Sequence, residues 1–303
     1  MVKIVDKKLN SDIAGSIALF QSVMKSFEIR TKVYRTMLKG RGLEFDGYRD
    51  YAPDDDASVI DWKASLRVNK ILAKQYTEER NLKIVFILDV GEKMVFGSTD
   101  KLKCEYSVEV VAALANLILT SRDKVGYVLF EKSVKEFVHP QVGKKHFVQF
   151  MNMITDASTY GGRSDLENVL DFTLKYIDKS IASVVIVSDF IGMDESIKHK
   201  LALVSSQFET MALVIRDPID RTLPDIQGEL VIEDPATEER MLINPSLAKS
   251  DYEKFAREQE NFVQKTFFEL GIDALLLTTD KPFVSNLATF IKQRAKSKKG
   301  VIV

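Results

Sequence analysis

The stretch Asn81–Lys93, NLKIVFILDVGEK, does most to limit what this chain can become. Ile84 to Leu88 are apolar without a break and mostly β-branched or aromatic. A run that short, with no polar alternation, predicts a strand covered on both faces, as in a parallel sheet. It stops at Asp89. Open α/β sheets gather their ligands beyond the carboxyl ends of their strands, so Asp89 is the first candidate for a binding role. An acid that caps the following loop is the plainer alternative.

Strand and helix alternate from there. Lys101–Ser121 has helical periodicity, with Cys104 on its buried side. Val125–Phe130 and Val134–Val138 read as a hairpin. Lys144–Ile154 and Ser164–Ile177 read as helices. Ala182–Ser188 is a second fully apolar strand and also ends in a carboxylate, Asp189. A helix over Glu195–Ser206, a strand over Glu209–Ile215, a helix over Asp251–Leu270 stopped by Gly271, a strand over Asp273–Leu277 and a helix over Val284–Lys296 complete the pattern. Such alternation predicts an α/β fold with helices on both faces of a mostly parallel sheet. Pro218, Pro224, Pro235 and Pro245 interrupt it, and Glu229–Glu233 and Arg240–Ile243 predict a β-hairpin turning at Asp234–Thr237.

The first 80 residues differ. Ile13, Ile17, Phe20, Val23, Met24 and Phe27 recur at helical spacing, followed by a basic run with Arg30, Lys32, Arg35, Lys39 and Arg41. That run reads as a solvated helix face or as a docking surface for an acidic partner. Gly40–Arg80 holds the only tryptophan, Trp62, among dense charges; Pro53–Asp56 is turn chemistry, and Ile71–Tyr76 reads as a strand. An isolated tryptophan amid paired charges predicts a buried packing anchor, whose truncation to alanine would cost about 3–5 kcal/mol.

Lys and Arg number 43 against 44 Asp and Glu, so no global charge argues for nucleic acid or an anionic membrane. One cysteine permits no internal disulfide and suits a reducing compartment. With no apolar stretch near the length of a membrane span and no signal-peptide core, the expectation is a cytoplasmic protein without direct membrane insertion. There is no P-loop, no dinucleotide-binding glycine motif and no nucleophile elbow. His139, His146 and His199 lack zinc-ligand spacing.

Three loop features stand out: Asp89, the glycine loop Gly161-Gly162-Arg163-Ser164-Asp165, and Ser188-Asp189. Two carboxylates and a hydroxyl at one sheet edge suit an oxygen-seeking divalent ion. Ser164-x-x-Glu167 also fits a capping box, which gives Ser164 a structural job compatible with the first.

The order of these elements resembles the von Willebrand factor A domain. That resemblance implies a metal-ion-dependent adhesion site built from Asp89, Ser164 and Asp189. Gly47 through Arg67, with Arg49, Tyr51, Pro53, Asp55, Ile60-Asp61-Trp62 and Arg67, is similar to the signature of a prokaryotic family known as domain of unknown function fifty-eight. Lys74, Glu78 and Glu79 continue it, as do Asp217-Pro218, Leu223-Pro224, Asp234-Pro235 and Thr279–Phe283. The chain departs from the pattern at Asp54, where the family usually has glycine, and at Ser58, where arginine is usual. The two metal-ligand serines are replaced by Gly91 and Lys93.

The expected architecture is thus a von Willebrand A-like domain over residues 81–296 with a hairpin insertion at about 217–244. An N-terminal helical and β arm over 1–80 precedes it, and a mobile tail over 297–303 follows. The resemblance implies a non-enzymatic adaptor that helps a MoxR-type AAA+ ATPase engage a client protein, with Arg49, Asp61, Trp62 and Arg67 fixing the arm. The alternatives are a metal-dependent hydrolase and a purely structural protein-binding domain. No cofactor is expected, and Mg²⁺ at most weakly. An ammonium at Lys93, about 4 Å from the ion, would repel it by roughly 8 kcal/mol at an effective dielectric of 20. Lys93 is therefore expected to serve as internal counter-ion to Asp89 and Asp189 instead.

Overall fold

The computed structural model of the chain describes residues 8–26, 43–52, 55–78, 81–226, 228–233 and 240–296. The basic run at 30–41, Phe27, the turn residues Pro53 and Asp54, Glu79, the hairpin turn Asp234–Thr237 and the tail 297–303 lie outside the described residues.

A mainly parallel six-stranded sheet forms the centre. Its strands are β3 (Lys83–Asp89), β4 (Lys124–Phe130), β5 (Val134–Gln141), β6 (Ser183–Ser188), β7 (Glu209–Arg216) and β10 (Asp273–Thr278). They lie in the order β10-β7-β6-β3-β4-β5, with only β5 antiparallel to its neighbour. The chain runs outward from β3 through β4 to β5, then returns to β6 beside β3 and runs outward on the other side. The reversal places the carboxyl ends of β3 and β6 next to each other at the centre of the sheet, where folds of this kind leave a crevice.

Alternate residues of the strands feed two apolar layers. Ile84, Phe86 and Leu88 pack under α1 (Ile13–Ser26), α3 (Lys103–Thr120), α4 (Lys144–Thr155) and α8 (Val284–Lys296). Val85 and Ile87 pack under α5 (Leu166–Tyr176), α6 (Glu195–Gln207) and α7 (Pro245–Leu270). Fully burying one such side chain contributes about 1.5–3 kcal/mol, so both layers hold the sheet firmly. Cys104 is buried on α3, as its position in the helical period predicts.

α3 is buried nearly all round. Its carboxylates are accordingly spent on neighbours: Glu105 accepts from Asn10 N at 2.8 Å, and Glu109 from Asp12 N at 2.7 Å and Lys101 Nζ at 2.7 Å. These bonds pin the start of α1 to the domain. α7 begins at Pro245, six residues ahead of the sequence expectation. Asn244 caps it, accepting from Ser246 N, and proline takes the first helical position, where no amide hydrogen is needed. Its end at Gly271, with φ at 64°, is as expected. β8 (Leu230–Glu233) and β9 (Arg240–Ile243) pair antiparallel.

In the arm, β1 (Leu43–Asp50) pairs antiparallel with β2 (Leu72–Glu78), and the short helix α2 (Trp62–Val68) lies between them in sequence. The expected burial of Trp62 is wrong: it is 64% exposed. Ser65 is the buried residue of α2, and Trp62, at the helix's first position, is left to solvent. Among the described residues no helix is long and apolar enough to cross a membrane.

Candidate functional site

Asp89 closes β3 and Asp189 follows β6, so the switch in strand order brings the two carboxylates together. Both are buried. Asp89 Oδ1 accepts from the Ser164 hydroxyl at 2.6 Å and from Gly91 N at 2.9 Å; its Oδ2 accepts from the Ser188 hydroxyl at 2.7 Å. Asp189 Oδ1 accepts from Ile191 N at 2.9 Å. Burial, reinforced by the neighbouring Asp189, pushes the Asp89 carboxyl up to about 6. Burial pushes Asp189 the same way, yet the ammonium of Lys103 outweighs it and holds Asp189 below the usual carboxylate range. The two acids therefore differ: one titrates near neutrality and its partner stays ionised.

The glycine loop delivers Ser164. Gly161 N donates to Val90 O at 2.9 Å, and Gly162 O accepts from Glu92 N at 2.8 Å, which ties the loop to the segment after β3. Gly162 has a positive φ of 73° and abuts the Glu131 carboxylate, so a side chain there would be both strained and crowded. The expected capping box at Ser164 is wrong by one residue. Asp165 caps α5 by accepting from Asn168 N, which leaves the Ser164 hydroxyl for Asp89.

The counter-ion is Lys103, not Lys93. Lys103 is 2% exposed, and its Nζ lies 2.8 Å from Asp189 Oδ2 and 3.3 Å from Asp220 Oδ2. Burial lowers its proton affinity and the two aspartates raise it, with a net upward shift. Side chains in a helix lean toward its N-terminus, so a lysine in the first turn of α3 reaches back to the carboxyl ends of the strands. A cation there opposes the helix dipole, which only close carboxylates offset. Lys93 sits half-buried in the short turn after Gly91, and its Nζ approaches Ile191 O at 3.4 Å.

Around Lys103 the site continues into residues that periodicity did not single out. Asp217, fully buried, accepts from Ser98 N at 2.9 Å, from the Ser98 hydroxyl, and from the Thr279 hydroxyl at 2.8 Å. Two stretches quoted above for the family signature, Asp217-Pro218 and Thr279–Phe283, thus meet side by side. Arg216 is also buried, bears on Asp189, and has Nε and Nη2 without a hydrogen-bond partner. Phe190 adopts a φ of 52°, a costly conformation for an aromatic residue, and packs edge-on against Phe267 directly after Asp189. The signal for Lys103 in the sequence is weak, because α3 also carries Glu105 and Glu109 and one more charge does not stand out.

This donor set does not fit a divalent ion. Asp189 already holds an ammonium, and position 91 has no hydroxyl. A Cβ built on Gly91 would stand 1.9 Å from Ser164 Oγ and 3.1 Å from Ser164 Cβ, so a serine there would displace Ser164 from Asp89. Among the described residues no group of three or more His, Cys, Asp or Glu is arranged to hold a metal.

Of the other predicted residues, those of the arm, Arg49 and Asp61 find partners within the arm. Arg49 forks onto Asp55 at 2.5 Å. Asp61 caps α2 by accepting from Lys63 N and Ala64 N, and also meets the Tyr48 hydroxyl at 3.1 Å and Lys74 Nζ at 3.5 Å. Arg67 is exposed on α2.

A family model described as protein of unknown function DUF58 matches residues 47–262. The chain is 25% identical over 264 residues to uncharacterized proteins of Mycobacterium tuberculosis and Mycobacterium bovis, a match that covers 86% of this chain and 82% of each relative. A crystal structure of a conserved hypothetical protein, BatB, from Bacteroides thetaiotaomicron is similar over 72% of this chain and 100% of that one, at 10% identity and a TM-score of 0.41.

Proposed function

This chain belongs to the DUF58 family, and from that membership and the geometry at the sheet end we propose that it is a non-enzymatic adaptor with a von Willebrand A-like domain, working beside a MoxR-type AAA+ ATPase. One observation carries the non-enzymatic part. The carboxylates at the place where such a domain would hold its ion already have internal partners, Asp189 the Lys103 ammonium and Asp89 two hydroxyls and an amide. A hydrolase would need a polarised water and a base to accept its proton. Here both hydroxyls donate into Asp89, and the buried His146 is engaged elsewhere, with Nε2 2.6 Å from Val125 O. With Asp89 and Asp189 closed inward, the surface over Asp89, Ser164 and Asp189, where Gly162 and Arg163 are exposed, then acts by shape toward a protein, with any ATP-driven work supplied by the partner.

The test joins calorimetric titration of the purified protein with Mg²⁺ and Mn²⁺, a nucleotide-turnover assay, and capture of its partners from the native cell. The expected result is no saturable micromolar metal binding, no turnover, and recovery of a MoxR-type ATPase. Micromolar metal binding abolished by Asp89→Asn, or turnover that survives stringent purification, overturns the reading.

A further inference from the structure

The exposure of Trp62 has no structural purpose within the arm. Trp62 is 64% exposed and Leu66 83% exposed, one helical turn apart on α2. The inward side of that helix is Ser65, whose hydroxyl donates to Asp61 O at 2.7 Å and accepts from Leu72 N at 2.9 Å. Val68 and Ile71 are also exposed, Val68 on another side of the helix and Ile71 beyond its end. Lys63 and Arg67 are exposed as well, and at 100° per residue they lie beside the Trp62–Leu66 stripe; Lys70, also exposed, follows the helix end. From Trp62 to Ile71 there is no acidic residue. The nearby aspartates are turned to other work: Asp61 caps the helix and Asp55 holds Arg49.

An apolar stripe with a one-sided cationic rim marks a recognition surface. We propose that this face of α2 docks a protein segment that presents apolar side chains beside carboxylates, an acidic amphipathic helix. Charge complementarity selects the acidic partner. The small size of the stripe, about 6 Å of helix from Trp62 to Leu66, matches the i, i+4 anchors of a single helix. A membrane surface fits less well. Charges across the chain are balanced, 43 against 44, and two cations on so short a helix with a third past its end make a weak hold on an anionic bilayer. This inference stands apart from the reading of the sheet end, and failure of either leaves the other in place.

Trp62 is the chain's only tryptophan, so its emission reports directly on the surface. The probes are a synthetic helical peptide with leucines at i and i+4 flanked by glutamates, the same peptide with lysines for glutamates, and phosphatidylcholine vesicles containing phosphatidylglycerol. The acidic peptide alone should give a saturable blue shift and protect Trp62 from acrylamide quenching. Lys63→Glu/Arg67→Glu, which keeps the tryptophan, should weaken that binding on the order of tenfold. If circular dichroism shows that this variant has lost its native signal, Lys70→Glu replaces it. An unchanged emission with the acidic peptide, an equal response to the lysine peptide, or a response to vesicles alone overturns the proposal. So does a blue shift that grows with protein concentration before any addition, which would assign the surface to a second copy.

Discussion

The sheet end and the arm are built from the same parts, aspartates facing cations, and behave in opposite ways. Lys103 and Asp189 meet at 2.8 Å with side chains 2% and 3% exposed. Arg49 and Asp55 meet at 2.5 Å, a shorter contact, but the arginine side chain is 43% exposed. Distance alone would rank the arm pair higher. Solvent reverses the order, because water already solvates Arg49 and screens its attraction, whereas Lys103 has no alternative to its two aspartates. The sheet end has turned its charges inward and closed. The arm uses its charges to set a local shape and leaves its largest apolar side chain outside. Burial, more than the residue types, separates a locked site from an open surface.

The sharpest way to break that comparison is to remove the buried cation. Lys103→Met keeps much of the side-chain volume and removes the ammonium bonded to both Asp189 and Asp220, leaving Asp189 with the weaker attraction of Arg216. Loss of one partner of a buried ion pair costs about 3–5 kcal/mol. Urea unfolding at neutral pH should show a loss of that order, and Lys103→Met/Asp189→Asn should recover a large part of it. A single-variant loss below about 1 kcal/mol would mean the pair is solvated after all, and the contrast with the arm would disappear.

Next in size is the pH dependence of Asp89. Its carboxyl is raised from an ordinary 3.8 to about 6, so the folded state holds a proton that the unfolded chain releases. The stability this adds is fully present below the unfolded value and is lost as pH rises through the folded one. A shift of roughly two units corresponds to about 3 kcal/mol. Asp89→Asn removes the titration, and the amide can still face Ser188, whose hydroxyl can turn to accept. Relative to the Asp89→Asn variant, the natural protein should therefore lose stability between about pH 4 and pH 6 and stay lower above it. Parallel curves for the two proteins would show that Asp89 is ionised throughout.

What the sequence revealed follows the same division. The strands β3 and β6 were legible because they are buried on both faces, and their terminal acids were legible because strand ends of a switched sheet converge. Lys103 was not, because a lysine in a helix normally points to water, and nothing local says that Asp189, 86 residues away, will be waiting for it. Ser164 meets Asp89 while Asp165 takes the cap, because Asp165 offers the same capping chemistry one residue later. The arm was the least readable. Its strand β1 and helix α2 are short, rich in charge and without an apolar period, so their pairing depends on contacts such as Asp61 with Tyr48 and Lys74 that span the segment. Trp62 departs from the expectation because large aromatics are usually buried, whereas the first position of this short helix leaves its side chain in solvent.

The smallest expected effect is therefore the most telling. Had Trp62 been the anchor its composition suggests, its truncation would remove a large apolar contact and cost about 3–5 kcal/mol. At 64% exposure it has little packing to lose, and a surface change of this kind stays within about 0.5 kcal/mol. Trp62→Ala should unfold in urea with a midpoint close to that of the natural protein and with the same slope, since the surface exposed on unfolding hardly changes. The position gives α2 its first helical residue, and alanine is the better helix former, which offsets any small packing loss. A midpoint unmoved by Trp62→Ala, beside a large fall for Lys103→Met, would separate the two regions cleanly: stability resides at the closed sheet end, and the tryptophan serves something outside the fold. A loss above about 2 kcal/mol for Trp62→Ala would mean that α2 packs in solution against a surface that hides it.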